Sequence, residues 1–348
     1  MSAAADPADS TEPVKRINLA LQGGGAHGAF TWGVLDRLLE DPRIEIEGIC
    51  GTSAGAMNAV AVAHGLTVGG RAEARATLER FWQGVAEAGR FSPIQRGPID
   101  RLLGSWRLDH SPSYAAFDLL TRTLSPYQTN PCNYNPLERI LEKVVDFNVV
   151  RACTAVKLFV CATNVRSGKV RVFETAELCP EAILASACLP FVFQAVEYQG
   201  EHYWDGGYMG NPAIFPLIYS CQAPDVVIVQ INPVERDTVP MTAREILDRV
   251  NEISFNSCLM REMRAIAFVT DLIDAGKLDP REYKRMNIHR IEADDEIKPL
   301  GASSKVNAER EFLLHLKTLG RVACDAWLER NFARIGVAST VDLAATYL

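Results

Sequence analysis

Two short glycine-bearing turns near the N-terminus limit this chain more than any other feature. The first, Gly23-Gly24-Gly25-Ala26-His27-Gly28, follows the apolar run Ile17-Asn18-Leu19-Ala20-Leu21; the second, Gly51-Thr52-Ser53-Ala54-Gly55, follows Gly48-Ile49-Cys50. Each leads into a segment of helical character, beginning near Gly28 and near Ala54. Strand, turn and helix, twice over, put both turns at one end of a parallel sheet. One turn offers bare backbone N–H groups, the other a hydroxyl on a sharp bend. Together they predict a nucleophile facing an oxyanion hole.

The rest of the chain supplies elements for such a sheet. Strands are expected over 14–21 and 44–50, with helices over 28–39 and 54–64 behind them. Another helix over 71–88 carries Leu78, Phe81, Trp82 and Val85 on one face. After Gly89 the composition shifts to Pro, Gly, Ser and aromatics, and 66–134 as a whole reads as a lid-like insertion over an apolar cleft. Asn135-Pro136 opens a further helix with Leu137, Ile140, Leu141 and Val144 facing inward. Strands over 158–162 and 169–174, a helix over 181–187 and a hairpin over 196–204 turning at Gln199-Gly200 come next. The hairpin ends in Asp205-Gly206-Gly207, and 226–231 is a last apolar strand. Beyond Pro240 lie helical patterns over 242–275 and 306–332, with a short strand over 288–291. The expected division is a tail over 1–14, a catalytic domain over 15–238 and a mainly helical extension over 239–348. That extension is either a cap on the same domain or a dimerisation arm, which leaves homo-oligomerisation open.

Charge and cysteine usage narrow the setting. A net charge of −7 gives no support to a nucleic-acid partner. The first fifteen residues are small, acidic and proline-bearing, unlike a secretory signal, and read as a disordered tail. No apolar run is long enough to span a bilayer. The nine cysteines show no CxxC pair, and Cys50, Cys153, Cys161 and Cys188 lie in or beside apolar segments, as buried free thiols would. A cytoplasmic protein is expected, with transient contact at a membrane or lipid granule compatible, and with neither metal nor cofactor.

Gly23, Gly25 and Gly28 also satisfy G-x-G-x-x-G, the dinucleotide pattern. That reading needs a carboxylate at the end of the second strand. This strand ends at Cys50-Gly51-Thr52-Ser53, and Glu45 and Glu47 come at or before its start. An oxyanion is the better guest, held by N–H groups near Gly24, Gly25 and Ala26. Gly51-x-Ser53-x-Gly55 fits the strained turn that projects a nucleophilic serine and frees the next N–H. The serine needs a base about 3 Å away. Of the six histidines only His202 and His110 are reasonable bases. Asp205 is the better candidate: it leaves a strand end on a two-glycine turn, and partial burial would bring its carboxyl toward neutrality.

The order of glycine loop, Gly-x-Ser-x-Gly and later Asp-Gly-Gly resembles the patatin-like phospholipase family, in particular its bacterial members with a C-terminal helical extension. Ser186-Ala187-Cys188-Leu189-Pro190 is similar to that family's Ser-Ala-Ser-x-x-Pro segment. The resemblance covers about 15–233. It implies a three-layer α/β/α fold with a mainly parallel central sheet and a Ser-Asp dyad without histidine. Ser53 would then be nucleophile, Asp205 base and Gly23, Gly24 and Gly25 the oxyanion loop. The activity implied is calcium-independent hydrolysis of lipid acyl esters. His27 departs from the Arg or Lys usual in the family. An acyltransferase or an intracellular polyhydroxyalkanoate depolymerase would share every one of these residues, and a non-catalytic lipid-binding regulator is the third alternative.

Overall fold

The computed structural model describes residues 13–348, so all but the end of the tail expected over 1–14 lies outside the described residues. Eight strands form one sheet: β1 (Lys15–Leu21), β2 (Ile44–Thr52), β3 (Lys157–Asn164), β4 (Val170–Glu174), β5 (Val196–Tyr198), β6 (Glu201–Asp205), β7 (Asp225–Val229) and β8 (Asn287–Ile291). Their order is β5-β6-β3-β2-β1-β7-β8, with β4 also on β3. The run from β3 through β2, β1 and β7 to β8 is parallel, while β4, β5 and β6 join antiparallel.

The helices are α1 (Gly28–Glu40), α2 (Ala54–Arg90), α3 (Pro98–Leu102), α4 (Pro112–Thr123), α5 (Pro126–Thr129), α6 (Pro136–Val144), α7 (Phe147–Arg151), α8 (Pro180–Ser186), α9 (Phe215–Ser220), α10 (Ala243–Asp274), α11 (Asp294–Ile297), α12 (Arg310–Asn331) and α13 (Leu343–Tyr347). Side-chain alternation along the strands builds the layers. Leu19, Leu21, Ile49, Val160, Val227 and Val229 join the core shared with α1, α2, α8 and α12. Ala20, Cys50, Phe159, Cys161, Val226 and Ile228 join the core shared with α9, α10 and α13. Both sheet faces are thus covered, and the architecture is the three-layer α/β/α sandwich that the resemblance implies.

The two helices expected over 54–64 and 71–88 run into one another, broken only at Gly69 and Gly70, whose backbone leaves the helical region. The stretch after them is more regular than its composition suggested, holding α3, α4 and α5. Part of it docks on the C-terminal region, for Trp106 stacks on Phe312 at 5.3 Å and Leu108 N–H donates to Ser303 Oγ at 3.2 Å. Much of the extension packs on the rest of the chain. β8 pairs with β7, and α12 lies on α1 with Phe312, Leu313 and Leu316 buried. Asp36 of α1, salt-bridged to Arg75 of α2 and Arg321 of α12, ties the three helices together. The second half of α10 packs on the sheet from Cys258 to Ile273, and Glu252 and Asn256 of its first half are buried as well, whereas Ile246, Leu247, Val250 and Ile253 are exposed. Val322 of α12 is 60% exposed.

Candidate active site

β2 ends at Thr52 and α2 begins at Ala54, so Ser53 alone makes the reversal. It does so at φ 55° and ψ −120°, a region that costs a non-glycine residue about 1–3 kcal/mol. Three contacts hold the turn in place. The Ser53 N–H donates to Ser186 Oγ at 2.9 Å, Thr52 Oγ1 donates to the Gly210 carbonyl at 2.6 Å, and the Ser53 carbonyl accepts the Met57 N–H at 3.1 Å. The N–H groups of Ala54 and Gly55 sit in the first turn of α2, where a helix leaves donors free and its positive end favours developing negative charge.

Asp205 reaches this serine through the register of β3. β2 and β4 pair with overlapping residues of β3, so they occupy its two edges. β6 overlaps β4 on β3 as well and must lie on the β2 edge, beyond the point where β2 turns away. Thr52 stands opposite Cys161 and Asp205 opposite Ala162, the next residue. Two strands approaching end to end thus bring positions 53 and 205 together. The Asp205 backbone is fixed on both sides: its N–H donates to the Cys188 carbonyl and its carbonyl accepts from Thr163 Oγ1, each at 2.8 Å.

The Asp205 side chain is wholly buried, and burial raises its pKa to about 6 against the pull of the Gly207 N–H, the Ser53 hydroxyl and Lys305. Oδ1 accepts the Gly207 N–H at 2.7 Å, which is what the Gly206–Tyr208 turn contributes. Oδ2 is buried and takes no hydrogen bond of ordinary geometry among the described residues. The Ser53 hydroxyl is among the groups that favour the ionised form of this carboxyl. A lone pair left uncommitted is what a proton acceptor needs.

The glycine loop closes over the serine. A Cβ placed on Gly23 would lie 2.7 Å from Ser53 Cβ, so only glycine lets the two turns meet. The peptide group of Gly23 is held on both sides, its N–H donating to Asn211 Oδ1 at 2.6 Å and its carbonyl accepting from Asn232 Nδ2 at 2.7 Å. Gln22, one residue earlier, accepts the backbone N–H groups of Ile231 and Asn232 on its Oε1, each at 2.9 Å. Gly23 is thus the wall of the loop and its N–H is engaged. Among the described residues the N–H groups of Gly24 and Gly25 have no such partner. Ala26 and His27 complete a single 3₁₀ turn before α1 starts at Gly28.

None of the histidines is bonded to Ser53. His202 pairs with Glu197 on the hairpin, and an odd separation along a strand turns it away from the face of Asp205. His110 Nδ1 is 2.8 Å from Asp100 Oδ1 in the segment before α4. His27 is buried, its Nε2 2.7 Å from Ser304 Oγ and its ring edge-on to Phe312. His289 is enclosed between Asp225 and Thr340 at the start of β7 and β8, the end of the sheet away from Ser53. His64 lies far along α2, and His315 stacks on Trp106. The supporting roles of Ser186, Asn211, Asn232 and Gln22 are additions of the structure. Among the described residues no group of three or more His, Cys, Asp or Glu could hold a metal ion, and no helix is long and apolar enough to cross a membrane.

A cavity of about 680 Å³ opens beside the strand that carries Asp205, with Leu124, Tyr127, Pro190, Phe191, Trp204 and Tyr208 among its lining residues and neither Ser53 nor Asp205 among them. Its size and apolar walls suit one extended apolar group.

A family model described as patatin-like phospholipase matches residues 19–218, more than half of the chain. Among solved structures, VipD from Legionella pneumophila aligns at 14% identity and a TM-score of 0.38, over 88% of this chain and 67% of that one. The ExoU–SpcU complex of the Pseudomonas aeruginosa type III secretion system aligns at 15% identity and 0.36, over 96% and 57%. The type III effector ExoU aligns at 14% and 0.26, over 88% and 54%, so the chain spans little more than half of the ExoU chains. No curated protein matches it significantly.

Proposed function

Since the chain belongs to the patatin-like phospholipase family, we propose that it is a serine acyl-ester hydrolase acting on lipids through a Ser53–Asp205 dyad. The observation that carries this reading is the strained Ser53 turn set against a buried carboxyl with one unoccupied oxygen. Asp205 takes the proton of the Ser53 hydroxyl as Oγ attacks the ester carbonyl. The resulting oxyanion is held by the N–H groups of Gly24 and Gly25, aided by the N-terminus of α2. Collapse expels the alcohol, which leaves with the proton from Asp205, and the acyl group stays on Ser53. Water, deprotonated by Asp205, then releases the acid and restores the serine. A carboxyl of pKa about 6 is ionised at neutral pH yet basic enough to be useful.

The apolar cavity is lined by Trp204 and Tyr208 but by neither Ser53 nor Asp205, so a lipid acyl chain as the bound group rests on the family. Hydrolysis of short p-nitrophenyl esters tests the assignment: Ser53→Ala and Asp205→Asn should each abolish it, and His202→Ala should largely spare it. Activity retained in Asp205→Asn but lost in His202→Ala would mean a serine–histidine arrangement instead.

A further inference from the structure

Lys305 lies on the turn Ser303–Val306, between α11 and α12 and outside the region matched by the family model. Its Nζ donates to Asn232 Oδ1 at 2.7 Å, and Asn232 Nδ2 passes the contact on to the Gly23 carbonyl at 2.7 Å. Its backbone touches the loop as well. Gly25 has φ 59°, and a Cβ there would fall 2.3 Å from the Lys305 carbonyl oxygen. The basic residue inside the loop cannot serve as its cation: burial, with Lys305 adding to it, lowers the pKa of His27 to about 3. Lys305 also acts on Asp205, drawing its carboxyl downward. The other groups facing Asp205 are the Ser53 hydroxyl, the Gly207 N–H, the Cys188 thiol and the Tyr208 phenol. Burial pushes the last two up to about 12, so both are neutral. Lys305 itself is drawn below the usual lysine range by burial and by Arg236, against Glu252, Asp248 and Asp205, which raise it. The residue as a whole is half-buried.

We propose that Lys305 is a positioning residue of the glycine loop. Through Asn232 it holds the Gly23 carbonyl turned away from the reacting ester, and it keeps over the cradle the positive charge that neutral His27 does not supply. The inference rests on the Ser53–Asp205 reading above. It makes the C-terminal region a working part of the site, since the charge that tunes the base arrives from beyond the family's matched segment.

The test compares Lys305→Met, Lys305→Gln and Lys305→Arg with wild type, measuring kcat, KM and the acid limb of kcat/KM on a p-nitrophenyl ester. Lys305→Met should lower kcat by about tenfold, less than the ~10²–10³ for removing a direct oxyanion donor, with KM within about twofold. Its acid limb should move to higher pH, because a positive charge facing Asp205 is gone. Lys305→Gln keeps a donor for Asn232 without the charge and should shift the limb likewise, which covers the case of a methionine variant that does not fold. Lys305→Arg should keep the wild-type limb. An unmoved limb in the neutral variants overturns the proposal whatever kcat does, as does an unchanged kcat in Lys305→Met. A Ser53→Ala control separates the two readings: if it stays active the dyad itself is wrong, and if it is inactive only the role of Lys305 is in question.

Discussion

Asp205→Asn should inactivate the protein and stabilise it at once. The carboxyl is wholly enclosed, and burial raises its pKa from 3.8 to about 6. Between those values the folded state holds a proton that the unfolded chain has released, so stability falls as pH rises through this window. Above pH 6 the fold carries the whole cost of the buried charge, ~3 kcal/mol for a step of about two pH decades. Asparagine removes that cost. Its Oδ1 still accepts the Gly207 N–H, though through a weaker neutral bond worth ~1 kcal/mol less, and its amide can donate to the Ser53 hydroxyl. The net gain at pH 7.5 is therefore ~2 kcal/mol, about 3 °C in melting temperature for a chain of this length. Thermal unfolding of variant and wild type at pH 7.5 and pH 4 reads the difference directly. The gain should shrink toward zero, or reverse, at pH 4, where the folded-state carboxyl is protonated and no charge is buried. No gain at pH 7.5, or the same gain at both, would refute the argument that the charge is held at a cost.

Two further expectations follow from the same geometry. The acid limb of kcat/KM in the wild type should have its midpoint near the 6 of Asp205; a midpoint near 4 would mean a base exposed to water. Ser186→Ala leaves the Ser53 N–H unpaired under a strained turn, a loss of ~1–3 kcal/mol that should lower both the melting temperature and kcat. Neither falling would show that the turn is held by other means.

The parts of the site that were legible in the sequence are those where backbone approaches backbone. Gly23 against Ser53 leaves no room for a side chain, and such crowding writes small residues at fixed spacing into the chain. Asp205 could be found because two glycines and a strand end mark a carboxyl on a turn. Asn211 and Asn232 could not, because they meet Gly23 across 188 and 209 positions and local spacing carries no trace of that register. Lys305 escaped notice for the same reason, arriving with a turn between elements that showed only helical periodicity. One distinction was available without coordinates: His202 and Asp205 lie an odd number of residues apart on one strand, so they cannot share a face. The regular elements were legible where periodicity and burial agree, as in α1. α10 was equally legible as a helix, but its 32 residues extend ~48 Å, and Ile246, Leu247, Val250 and Ile253 near its start stay exposed.

The most direct trial of the dyad is covalent. Treated with a fluorophosphonate at pH 7.5 and digested, the wild-type protein should carry a single phosphonyl adduct on the peptide containing Ser53, and Asp205→Asn should form that adduct at a rate lower by orders of magnitude. An adduct on another residue, or labelling of Ser53 undiminished by loss of the carboxylate, would contradict the account.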